Sequence, residues 1–150
     1  MAINWSDIRQ NAQLFSINWK DAKSERSESQ TFWNEFFEVF GITRRRLASF
    51  EAPVKKLNGR YGFIDLFWKG VLLVEHKSKG QDLVKAYTQA LDYFANLEEY
   101  ELPKYVLVSD FERFRLHDLE DKLEHEFKLS DLPENINLLG FIAGFDKKRV

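Results

Sequence analysis

The hydrophobic period changes partway along this chain, and that change limits the available folds more than any other feature. Up to Gly41 the apolar residues recur every three or four positions; from Leu47 they fall in short β-rich runs separated by turn residues. The first pattern belongs to amphipathic helices and the second to strands. A chain that carries both must bury helices against a sheet, so the fold class is mixed α/β.

Within the first part, Ser6 serves as the expected N-cap of a helix whose stripe is Ile8, Ala12, Phe15 and Trp19. Ser27 with Gln30 has the form of a capping box. It precedes Phe32, Phe36, Val39 and Phe40, and Gly41 stands where a helix ends. "LASFEAPVKKL", "YGFIDLFW" and "VLLVEHKS" then predict an antiparallel meander. Pro53 and Lys55-Lys56 mark its first strand as an edge. Helical spacing returns in "DLVKAYTQALDYFANLEEY", with Asp82 as N-cap and Leu83, Tyr87, Ala90, Leu91, Phe94 and Leu97 on one face. "KYVLVSD" and "FRLHDL" read as two more strands, "HEFKLS" as a weak sixth, and "SDLPENINLLGFIAGF" as a final helix or loop. The expected order is ααβββαββ.

At 150 residues and 44% hydrophobic, the chain suits one well-packed domain, 1–150. Its formal charge of −2 gives no global basic field, so any nucleic-acid contact has to be local or supplied by another module. The absence of cysteine removes disulfide, thiolate-metal and Cys-nucleophile chemistry and suits a reducing cytoplasm. No secretory signal opens the chain, and its apolar runs fall well short of the ~20 residues of a membrane span. The apolar "LLGFIAGF" either packs back on the sheet or meets a continuation of a longer protein, and we favour the longer protein.

Chemistry concentrates in "GFIDLFWKGVLLVEHKSKG", residues 62–80. Glu-x-Lys occurs three times, but Glu120–Lys122 and Glu126–Lys128 lie in a charge-rich stretch where solvated side chains are expected. Glu75 and Lys77 instead finish an apolar strand and, two apart, project to the same face. Asp65 joins them only if the hairpin has the right parity. A two-residue Lys69-Gly70 turn sets Asp65 opposite Val74, on the wrong face. A three-residue Trp68-Lys69-Gly70 loop pairs Phe67 with Val71 and Asp65 with Leu73, with Gly70 in the left-handed conformation. Asp65 and Glu75 are then diagonal neighbours, with backbones ~7–8 Å apart. Two carboxylates and a lysine suit Mg²⁺-assisted phosphodiester hydrolysis. An ion pair closing the sheet's end is the ordinary alternative. Gln89 and Tyr93, four apart, share one face of the next helix; a boundary glutamine and a core-edge tyrosine would look the same.

"FID", then "EHK" with its Glu ten residues after the Asp, then "QALDY" on a helix resemble the PD-(D/E)xK nuclease superfamily, in its Gln-x-x-x-Tyr branch. More narrowly, "SQTFWNEFFEVFG", "SFEAPV", the hairpin with its following helix, "ELPKYVLVSDFERFRLHDL" and "NINLLGFIAGF" are similar, in that order, to the N-terminal nuclease domain of MmeI-like (type IIL/IIG) single-chain restriction–modification enzymes. The resemblance runs from about residue 28 to near the end. It implies a restriction-endonuclease-like sheet flanked by helices, with Asp65 and Glu75 as Mg²⁺ ligands (Mn²⁺ as a substitute) and Lys77 as the catalytic lysine. Gln89 and Tyr93 would trim the site and contact the DNA strand. Glu28 would be the first-helix acid, with Glu35 as the alternative. Ile64 stands where the motif's name has Pro, a loosely kept position, and His76 takes the variable middle place, facing away.

The family further implies double-stranded DNA as substrate, dimerisation for cleavage, and a downstream helical spacer, adenine methyltransferase and target-recognition domain. S-adenosylmethionine would bind that methyltransferase and not this chain. A catalytically silent scaffold of the same fold and a stand-alone structure-specific nuclease are the alternatives. Arg44-Arg45-Arg46, Lys79 and Lys85 are candidate phosphate contacts or solvated charges, and Ser109-Asp110 reads as a turn.

Overall fold

The computed structural model describes residues 3–22, 25–43, 49–55 and 61–145, with the main chain alone for 25–27, 49–55 and 61–65. Two helices lead, α1 (Trp5–Trp19) and α2 (Glu25–Val39). A meander follows: β1 (Ser49–Lys55), β2 (Tyr61–Trp68) and β3 (Leu72–His76). Helix α3 (Leu83–Ala90) and a 3-10 segment (Leu91–Asn96) lead to β4 (Tyr105–Ser109), β5 (Arg113–Asp118) and β6 (Leu123–Lys128). The chain closes on short helical pieces, Leu129–Asp131, α4 (Leu132–Asn135) and Ile136–Ala143.

The strands form one six-stranded sheet in the order β1-β2-β3-β4-β5-β6. Every neighbouring pair is antiparallel except β3–β4. That parallel pair needs a crossover, which α3 and its 3-10 extension supply. All five residues of β3 and of β4 are buried, as expected of central strands covered on both faces. β1 lies at the edge, the part of a sheet that tolerates a proline such as Pro53.

Strand alternation divides the core in two. Leu66, Leu72, Val74, Leu107, Phe114 and Leu116 face α1, α2 and the C-terminal helical pieces. Phe67, Leu73, Val106 and Val108 face α3, where Leu83, Ala86, Ala90 and Tyr93 cover them. Phe32, Trp33, Phe36, Phe37 and Phe40 of α2 and its C-terminus are all buried, and most of their ring contacts are edge-on or tilted. The apolar C-terminal segment packs back: Phe141 stacks on Tyr105 and Phe145 on Trp5. Among the described residues no helix is long and apolar enough to cross a membrane.

Several local expectations are corrected. Asn4, not Ser6, caps α1, its side chain accepting the Asp7 N–H at 2.9 Å. Helix α2 starts at Glu25, so Ser27 lies inside it. The weak sixth strand is real, giving ααβββαβββ before the terminal helical pieces; its signal is faint because only Phe127 along β6 is buried. The α-helix expected to run on from Asp82 ends at Ala90 and tightens into 3-10 geometry. The tighter turn brings Tyr93 inward and leaves Leu91 exposed.

Candidate active site

The β2–β3 hairpin decides whether the acidic residues can meet. Val71 N–H donates to the Trp68 carbonyl at 3.0 Å, closing a four-residue turn with Gly70 at its third position and φ of +76°. Positive φ at that position is the mark of a type II turn, which favours glycine. The register pairs Trp68 with Leu72, Phe67 with Leu73 and Leu66 with Val74. The loop is therefore three residues long, as expected, but it is Lys69-Gly70-Val71 rather than Trp68-Lys69-Gly70. A shift of two positions preserves parity. Carried one residue further, the register sets Asp65 directly across from Glu75 instead of diagonal to it.

Glu75 is 6% exposed and lies on the α3 face of β3, in line with Leu73. Lys77 follows the strand, and its N–H donates to the Ser109 carbonyl at 2.8 Å, so the extended course continues past His76. Its Nζ stands 4.0 Å from Glu75 Oε2. Alternation turns His76 to the other face, where it is fully buried and its Nδ1 accepts from Trp33 Nε1 at 3.0 Å. Burial, only partly offset by Asp110, lowers the His76 pKa to about 3, so the ring is neutral. As expected, it faces away from Glu75.

On α3, Asp82 caps the helix by accepting the Lys85 N–H at 3.1 Å. Tyr87 stacks on His117 of β5, ring centroids 3.4 Å apart. Gln89 is two residues and so about 200° around the helix from Tyr87, and its side chain is exposed. Tyr93 is buried against the Phe67–Leu73 row, one 3-10 turn further on. The two expected partners thus differ, one solvent-exposed and the other buried.

The two first-helix acids are distinguished by their surroundings. Glu35 Oε1 accepts from Trp19 Nε1 at 3.1 Å, so its carboxylate faces α1. Glu28 is half-buried in the first turns of α2, one turn before Phe32, whose ring packs against His76. The other Glu-x-Lys pairs are spoken for: Glu126 binds Arg115 at 3.1 Å, and Glu120–Lys122 forms an exposed turn. Lys79 pairs with Glu112, Lys85 is exposed, and Arg44–Arg46 lie outside the described residues.

Sequence reasoning treated Ser109-Asp110 as a simple turn and so missed a buried clasp. Asp110 is fully buried and accepts from Gly80 N–H at 3.0 Å, Arg113 N–H at 2.8 Å and Arg113 Nη2 at 2.8 Å. Burial raises its carboxyl pKa, but these hydrogen bonds and the Arg113 charge together hold it below the ordinary value. The Asp-x-x-Arg spacing was its only trace in the sequence. Arg115 and His117, beside Glu124 and Glu126, form a second polar group beneath Tyr87.

Among the described residues no three His, Cys, Asp or Glu side chains cluster in metal-ligand fashion, and the Asp65 side chain lies outside them. The buried Glu75 carboxylate is a hard oxygen donor and suits Mg²⁺ better than a soft metal.

A buried carboxylate thus stands beside a lysine at the end of a central strand of a mixed α/β sheet. The chain belongs to the family described as MmeI, N-terminal domain, whose model matches residues 10–150, thus including most of α1. No curated protein matches it. Among solved structures it is similar to a chain in the cryo-EM structure of a DrdV–DNA complex, at 16% identity and a TM-score of 0.60. That match covers 91% of this chain but 14% of the other, so the domain corresponds to a small part of a much longer protein.

Proposed function

We propose that this chain is a Mg²⁺-dependent DNA endonuclease domain of the restriction-endonuclease-like PD-(D/E)xK type. It would be the cleavage module of a larger restriction–modification enzyme. One observation carries the reading: Lys77 Nζ lies 4.0 Å from the buried Glu75 carboxylate, and the hairpin register, carried one residue further, would bring the Asp65 main chain opposite Glu75. Membership of the MmeI N-terminal family and the likeness to part of a DNA-bound chain support it.

Glu75 and Asp65 would supply the oxygen donors, and Mn²⁺ could replace Mg²⁺ there. When bound, the ion would neutralise the scissile phosphate and acidify a coordinated water. Lys77 orients or deprotonates the attacking water and offsets the charge that develops on the phosphate. Gln89, exposed on α3, would contact the strand being cut, and the buried Tyr93 would shape the floor. Glu28 is the preferred first-helix acid. Double-stranded DNA is the substrate, and with a net charge of −2 this domain relies on other modules for sequence recognition. S-adenosylmethionine belongs to a methyltransferase module and has no role in this site.

The test is DNA cleavage by the full-length protein with Mg²⁺ or Mn²⁺, comparing wild type with Glu75→Ala and Lys77→Ala. Both variants should lose cleavage by about a hundredfold or more, that is roughly 2.7 kcal/mol of transition-state stabilisation. Equal cleavage by all three would reject the site and favour a silent scaffold.

A further inference from the structure

Lys77 sits at the start of a loop, residues 77–82, that joins β3 to α3, and nothing in the strand itself fixes that loop's far end. The loop is held from below. Ser78 carbonyl accepts the Gln81 N–H at 3.3 Å in a turn where Gly80 has φ of +91°. Gly80 N–H then points at Asp110 Oδ2, 3.0 Å away, and the Gln81 carbonyl accepts from Arg113 Nη2 at 2.7 Å. Asp110 and Arg113 lie on the β4–β5 turn and are joined by a 2.8 Å ion pair. A carboxylate with no solvent exposure must have its acceptor sites met within the protein. Here the partners are a loop amide and an arginine that reaches the same loop.

We infer that Asp110 is a positioning residue, whose buried carboxylate, with Arg113, clasps loop 77–82 to the β4–β5 turn and so holds Lys77 beside Glu75. The role rests on the reading of Lys77 as part of the hydrolytic site, but the clasp is observable without it. At its near end the loop is fastened by the Lys77 N–H bond to Ser109, the residue before Asp110. One turn of the sheet therefore grips the loop at both ends. Loss of the far grip leaves Lys77 attached at its main chain and free to swing at its side chain.

The test uses the full-length protein carrying Asp110→Ala or Arg113→Gln. Amide hydrogen exchange in residues 78–82 should quicken about tenfold or more while α1 and β4 keep wild-type protection. Reductive methylation of Lys77 should speed up relative to the exposed Lys104 and Lys122. Cleavage turnover should fall about tenfold, with DNA affinity in the absence of divalent metal staying within about twofold. Wild-type exchange at Gly80 in both variants would overturn the clasp. Uniform loss of protection, or equal speeding of all three lysines, would show a merely structural role and overturn the positioning. If Asp110→Ala does not fold, Arg113→Gln carries every arm, because its side chain is partly exposed. Wild-type cleavage by Lys77→Ala would remove the nuclease reading and the positioning role with it, a result distinct from an intact or broken clasp, which the Gly80 exchange reads alone.

Discussion

Trp33 Nε1 donates a 3.0 Å hydrogen bond to Nδ1 of His76, directly behind Glu75 on the opposite face of β3. The bond requires an imidazole with a lone pair on Nδ1, so the proton sits on Nε2 and the ring is uncharged. Helix α2 is thereby stitched to the strand that carries the proposed site.

Acid should weaken the fold in a defined window. The folded chain lowers His76 to about 3 and His117 to about 4, against 6.5 for an ordinary histidine. Burial is the main cause in both, with the Arg115 charge adding to it at His117. Below 6.5 the unfolded chain takes up protons that the native chain refuses, so stability present above 6.5 is lost as pH falls toward 4 and 3. The loss should reach a few kcal/mol. Denaturant titrations between about pH 7.5 and about pH 4.5 measure it. His76→Phe should flatten the slope while lowering stability at neutral pH by about 1–3 kcal/mol, because the Trp33 N–H loses its acceptor. An unchanged slope in that variant would rule out His76 as a source.

Gly70→Ala should destabilise the protein by about 1–3 kcal/mol. Left-handed backbone costs an L-residue roughly 1–2 kcal/mol. A Cβ at Gly70 would also stand 3.1 Å from the Tyr100 carbonyl, and the Gly70 N–H bond to Glu101 limits retreat. Urea unfolding gives the stability, and cleavage by the folded fraction shows whether the hairpin register survives. A neutral substitution would contradict the turn described.

Glu28→Ala and Glu35→Ala should separate cleanly. Glu28→Ala should slow cleavage about tenfold or more. Glu35→Ala should leave cleavage intact and cost about 1 kcal/mol of stability, since it removes the acceptor for Trp19 Nε1. The opposite pattern would transfer the first-helix role to Glu35.

Much of the fold was written in the side-chain periods. The stripe Ile8, Ala12 and Phe15 is buried as its spacing requires, and so are Phe32, Phe36 and Phe40. Parity at the hairpin was legible because a shift by two residues leaves faces unchanged. The shift itself was not, since it depends on Gly70 taking the third place in a four-residue turn and on Val71 leaving the strand. Nor could local sequence show that the helix would tighten after Ala90, because that follows from fitting Tyr93 against Phe67 and Val106. For the site, the shared face of Glu75 and Lys77 and the opposite face of His76 followed from strand alternation. The clasp did not, because Asp110 and Gly80 are thirty residues apart and meet only through the β3–β4 pairing.

That pairing has a kinetic consequence. β1 to β3 form one meander from near neighbours in sequence, and β4 to β6 form another. The parallel β3–β4 seam between them closes a longer loop and is the slower contact to make. Glu75 lies on one side of the seam and Asp110 just beyond the other. A half-folded chain can possess either meander in full and still have its lysine loop ungripped, so the proposed site is completed only once the two meanders pair.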